Sequence, residues 1–103
     1  MNKALWSAAA MLGIGVAAAH AQDANLGRNL AATCANCHGT NGQARGDTVG
    51  ALAGMPADRL VSMFNAYKTG ERPATIMHQI AKGYSDDQLK AIAAFFAAQP
   101  ARK

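Results

Sequence analysis

Apolar side chains recur at helical spacing in four stretches of this chain, and a long stretch between the first two shows no periodicity. Leu26, Leu30, Thr33 and Cys34 fall one turn apart, which predicts a short first helix from Leu26 to Cys34, with Gly27 placed where a close helix crossing could need no side chain. From Asn36 to Gly54 the chain is rich in Gly, Asn, Asp and Thr and reads as irregular loop. Pro56 then opens a helix that carries Leu60, Met63, Phe64 and Tyr67 on one face and stops at Gly70. After a connector at Glu71, Arg72 and Pro73, Thr75 is placed to cap a short helix through Lys82, with Met77, Ile80 and Ala81 inward and Gly83 as the stop. The last helix has the clearest start: Ser85 and Gln88 form a capping-box pattern, and Asp86 and Asp87 put negative charge at the positive end. Its buried stripe is Leu89, Ile92, Ala93 and Phe96, and Pro100 ends it. With no strand alternation, repeat or linker, the pattern predicts one all-α domain of three to four short helices.

Chemistry enters at Cys34-Ala35-Asn36-Cys37-His38, because C-x-x-C-H is the attachment signature of c-type haem. Each thiol can add across one porphyrin vinyl group, and the spacing sets the two sulfurs about one helical turn apart, with His38 positioned to ligate the iron. Other uses of the pair fit less well. A zinc site needs a second Cys or His pair, and the chain holds only two cysteines. A thioredoxin-like redox pair belongs with a βαβ pattern that is missing here, and a structural disulfide leaves His38 unexplained. A loop as long as Asn36–Gly54 is explained if it wraps a prosthetic group, with Val49 and Leu52 as its apolar contacts.

The N-terminal residues change the compartment and the charge. Lys3, an Ala-rich apolar run from Ala4 to Ala19, and Ala19-His20-Ala21 read as a cleaved secretory signal peptide over residues 1–21, leaving a domain over 22–103. The run is short and alanine-rich for a bilayer span, so no stable membrane insertion is expected. Covalent haem is normally attached outside the cytoplasm, which agrees with export and, in a Gram-negative cell, with a periplasmic, soluble protein. Losing Lys3 takes the ten Lys and Arg to nine against six Asp and Glu. Two haem propionates reduce that excess further, so the basic balance does not point to nucleic acid. A mature domain of this size also benefits from a staple, which haem would provide.

The stretches CANCHGTNGQARGDTVGALAGM and ERPATIMHQIAKGYSDDQLKAIAAFFA resemble a small monohaem class I cytochrome c, in particular the haem-binding subunits of flavocytochrome c sulfide dehydrogenases. The haem motif near the N-terminus, with a helix and a methionine downstream, fits class I and not the cytochromes whose motif lies near the C-terminus. The resemblance implies the class I fold wrapped around one haem c bound covalently through Cys34 and Cys37, with His38 and Met77 as axial ligands. A thioether ligand favours ferrous iron and raises the potential. Alone, a methionine on an apolar face is ordinary core filler, and Met55 and Met63 are competitors. Consecutive helical residues point about 100° apart, so His78 cannot face the iron together with Met77 and reads as a solvated surface histidine. Related cytochromes often carry a proline near Gly50 whose carbonyl orients the ligand imidazole; here Val49-Gly50 stands, and a glycine carbonyl can accept the same bond from a less restrained backbone. Gly27 and Phe96 match the contact between first and last helices.

Two functions follow from different classes. One is a non-catalytic electron carrier or subunit whose redox partner is a flavoprotein, such as a sulfide dehydrogenase, or a terminal oxidase. The other is a haem enzyme or gas-binding protein with an open sixth coordination site, which needs Met77 off the iron and a distal acid or base.

Overall fold

A computed structural model of the chain describes residues 25–46 and 49–101. The expected signal peptide lies outside the described residues. Among the described residues the only regular structure is helix: α1 (Leu26–Ala31), α2 (Ala35–His38), α3 (Ala57–Thr69), α4 (Met77–Lys82) and α5 (Asp86–Ala97), with 3₁₀ turns at Ala32–Cys34 and Thr40–Gly42. The first helical stretch runs further than its apolar spacing predicts. It passes through the 3₁₀ turn and α2 to His38, and stops only at Gly39, whose φ of 83° ends the turn.

The core forms where α1, α3 and α5 meet. Leu60, Leu89, Ile92 and Phe96 are its largest fully buried side chains, and Ala31, Leu52, Phe64, Ala81 and Ala93 complete it. Small residues at Ala31 and Ala93 let backbones approach, and Gly27 takes this furthest. A Cβ built at Gly27 would lie 2.5 Å from the Ala91 carbonyl oxygen and 3.1 Å from Phe95 Cβ, both on α5. Those neighbours are backbone and branch point, which cannot swing aside. Gly27→Ala is therefore expected to destabilise the domain by about 1–3 kcal/mol, read as a lower denaturation midpoint, because the crossing must open.

The helix boundaries follow from local chemistry. In α5, Ser85 Oγ accepts from the Gln88 N–H at 3.2 Å while Gln88 Oε1 accepts from the Ser85 N–H at 2.9 Å, the reciprocal capping box expected there. In α3, Pro56 occupies the N-cap and Gly70 ends the helix in the left-handed region. The start of α4 differs from expectation: its N-cap is Ile76, with no side-chain cap, and Thr75 lies outside the helix.

The stretch after Thr40–Gly42 is a pinched loop. The Gly42 carbonyl accepts from both Leu52 N–H (2.9 Å) and Ala53 N–H (3.1 Å), closing the neck of a loop that holds Val49 and Gly50. Gly54 N–H donates to the Phe96 carbonyl and Gln43 Nε2 to the Pro100 carbonyl, which dock the neck on the C-terminal end of α5. Such a closed surface loop carries its residues as a unit.

Candidate haem site

Cys34, Cys37, His38 and Met77 line one cavity of about 750 Å³. The 3₁₀ turn and α2 supply Thr33, Cys34, Cys37 and His38; the pinched loop supplies Val49, Gly50 and Leu52; α3 supplies Phe64 and Tyr67; and α4 with its flanks supplies Ile76, Met77, Ile80 and Tyr84. The volume is within the range of small-molecule and cofactor pockets, about 300–1,000 Å³. No Asp, Glu, Lys or Arg is among the described residues that line it.

His38 is held by its rear nitrogen. Nδ1 lies 2.6 Å from the Gly50 carbonyl oxygen, and because a carbonyl only accepts, Nδ1 carries the proton. That tautomer leaves the Nε2 lone pair available, the usual arrangement for a metal-ligating imidazole oriented through its other ring nitrogen. Gly50 thus makes the contact to the His38 imidazole expected in this region of the chain. The clamped neck at Gly42 supplies restraint that the Gly50 backbone lacks. Gly50 is not among the positive-φ glycines, and a Cβ there meets nothing within 4 Å. Gly50→Ala is accordingly expected to raise stability by about 0.4–1 kcal/mol in thermal unfolding, by narrowing the unfolded ensemble while leaving the His38 bond intact.

Both cysteines are free thiols, Cys34 half-buried and Cys37 exposed. Burial pushes the Cys34 thiol above its ordinary value, partly offset by a hydrogen bond to the Thr33 side chain. A neutral thiol is a poor metal ligand and redox nucleophile. Among the described residues, moreover, no three His, Cys, Asp or Glu side chains come together as a metal site. Two unpaired thiols one turn apart, an imidazole with a free lone pair and a thioether, arranged around an apolar cavity, are a donor set that fits a covalently held haem.

The competitors separate by position. Met55 packs against the core, and neither Met55 nor Met63 lines the cavity. Met77 does, from the first residue of α4. His78 departs from expectation. It is half-buried, its Nε2 donates to the Arg72 carbonyl at 2.8 Å, and its ring meets Tyr67 edge-on at 6.2 Å. Sequence reading also missed the 3.0 Å hydrogen bond between Thr33 Oγ1 and Tyr84 OH, which joins the cysteine-bearing segment to the one after α4. Both residues line the cavity, but their separation of 51 positions left no local signal.

Comparison with known proteins decides the family. Residues 21–96 match the family model described as "Cytochrome C oxidase, cbb3-type, subunit III". Over 82 residues the chain is 38% identical to cytochrome c-554(548) of Halomonas halodenitrificans, covering 77% of this chain and 99% of that protein. The chain belongs to this cytochrome c family. It is a small monohaem class I member. The cytochrome is also 31% identical to the cytochrome subunit of sulfide dehydrogenase of Chlorobaculum tepidum, over 68% of this chain and 63% of that one. Its fold matches part of the thiosulfate dehydrogenase of Marichromatium purpuratum with a TM-score of 0.70 at 34% identity, covering 76% of the cytochrome but only 19% of that chain. The cytochrome is an electron-transfer protein that uses a c-type haem, not a catalyst. Among the described residues, no helix is long and apolar enough to cross a membrane.

Proposed function

We propose that the cytochrome is an exported one-electron carrier or cytochrome subunit, with haem c bound through Cys34 and Cys37 and ligated axially by His38 and Met77. The observation that carries this reading is the shared cavity: both thiols, the imidazole and one of three described methionines face it, while Met55 and Met63 do not. Bound there, haem c supplies storage of a single electron. The chain's own residues do the rest. His38 is oriented by Gly50, Met77 offers a soft neutral donor, and Val49, Leu52, Phe64 and Ile80 give apolar walls that exclude water.

The open-site alternative needs a proton donor or acceptor beside the sixth position. The lining offers no carboxylate or lysine, His38 is committed to Gly50, and His78 is turned to the Arg72 carbonyl. A closed site favours outer-sphere electron transfer. The electron donor we assign is a dehydrogenase that oxidises a reduced sulfur compound, a flavoprotein in the sulfide case, because relatives named for sulfide and thiosulfate dehydrogenases align with the cytochrome. Periplasmic location rests on the Lys3 to Ala21 pattern. Mixing carbon monoxide with the ferrous holoprotein tests the closed site: slow, incomplete binding is expected, and a spectral shift within the mixing time would contradict it.

A further inference from the structure

The first turn of α4 carries Met77, whose half-buried side chain packs at the edge of the core but which is not itself a fully buried residue. The helix is only six residues long, its N-cap Ile76 makes no side-chain cap and is 58% exposed, and its one fully buried residue, Ala81, sits a full turn beyond Met77. Burial of Ala81 fixes where the far end of α4 lies, and at the near end the core contact is the partial one made by Met77.

A chain of contacts on the outer side of α4 adds a second restraint. It begins on α3, where Gly70 turns the backbone back and the Arg72 N–H donates to the Ala66 carbonyl at 3.1 Å. Arg72 is held a second way, with its guanidinium 5.4 Å above the Tyr67 ring centroid. The carbonyl of this anchored residue accepts from His78 Nε2 at 2.8 Å, and the His78 ring meets Tyr67 edge-on at an interplanar angle of 73°. Tyr67 itself lines the cavity. His78 is next to Met77, and neighbouring helical residues point about 100° apart. Fixing His78 against Arg72 and Tyr67 therefore sets the side of α4 from which Met77 projects.

We propose that His78 is a positioning residue for Met77: its hydrogen bond to the Arg72 carbonyl and its edge contact with Tyr67 lock the rotation of α4 and keep the thioether turned into the cavity. This rests on the Met77 ligand reading above. The lock acts by lowering the population in which Met77 has swung away. One neutral hydrogen bond with an aromatic contact is enough to change such a population about tenfold.

The test is carbon monoxide association to the ferrous holoprotein, since binding samples the population with Met77 displaced. His78→Ala is expected to raise the association rate about tenfold. His78→Gln, whose amide nitrogen can reach the same carbonyl, should return it to within about twofold of the unsubstituted protein. The methionine-to-iron charge-transfer band of the ferric protein, followed in increasing urea at a temperature where helix content is unchanged, should be lost earlier in His78→Ala than in His78→Gln. An unchanged rate and band in His78→Ala would overturn the proposal, as would a His78→Gln variant indistinguishable from His78→Ala. Immediate binding by the unsubstituted protein overturns the Met77 ligand reading itself, whereas slow binding there with no response to His78→Ala overturns only the lock.

Discussion

Cys34→Ala combined with Cys37→Ala is expected to leave no folded domain when the cytochrome is produced alongside haem-attachment machinery. The reason is the cavity. Without haem, the apolar side chains lining about 750 Å³ lose the surface they would pack against, in a domain of a kind stabilised by only about 5–15 kcal/mol in total. The buried core around α1, α3 and α5 is too small to offset the loss, resting on six large side chains, Leu52, Leu60, Phe64, Leu89, Ile92 and Phe96, of which Leu52 and Phe64 also line the cavity. Far-UV circular dichroism of the double variant should show mostly unfolded chain and the absorption spectrum no bound haem. A cooperatively unfolding, helical apoprotein would contradict this. The single variants should keep haem through one thioether and stay folded, with lower midpoints.

Met77→Ala carries the next largest effect, and it falls on the redox chemistry instead of the fold. Met77 is half-buried at the cavity wall and outside the set of fully buried residues, so its truncation leaves the helix core intact. Loss of a thioether that favours ferrous iron should lower the reduction potential by on the order of 0.1–0.3 V, a fraction of the about 0.8 V that axial ligands command. The ferrous variant should also bind carbon monoxide within the mixing time. Met55→Leu and Met63→Leu are the controls, because neither residue lines the cavity and a swap of similar volume costs under about 1.5 kcal/mol. Equal potentials in Met77→Ala and the unsubstituted cytochrome would remove Met77 from the iron.

What could be read from the chain was what local chemistry determines. The capping box at Ser85 and Gln88, the Pro56 to Gly70 limits of α3 and the stripe of α5 depend on neighbours in sequence or on helical period, and all are present. The crossing of the first and last helices at Gly27, expected from the resemblance, is present with a different partner: Gly27 meets Ala91 and Phe95, whereas Phe96 approaches Gly42. Four features do not follow from such patterns. Helix persists past Asn36 to His38 because the turn holding both thiols must continue until Gly39 can reverse the chain, whereas the Gly-rich composition suggested loop. The segment expected to begin α4 at Thr75 is instead drawn along the cavity wall, where Ala74, Thr75 and Ile76 all face the opening. His78 looked solvated because its acceptor is a backbone carbonyl six residues away, which no side-chain pattern encodes. The same holds for the Gly50 carbonyl. Its role depends on a loop neck closed by Gly42, and a glycine without a proline gave no sign of that restraint.

Proton NMR of the ferrous holoprotein, labelled at its methionine methyl groups, tests the His38 and Met77 site most directly. Ring current from the porphyrin shifts the methyl of a ligating methionine far upfield, and that of a core methionine much less. The expected spectrum has one strongly shifted methyl, which disappears in Met77→Ala and persists in Met55→Leu and Met63→Leu. A spectrum without such a line, or a line that survives Met77→Ala, would contradict the closed electron-transfer site.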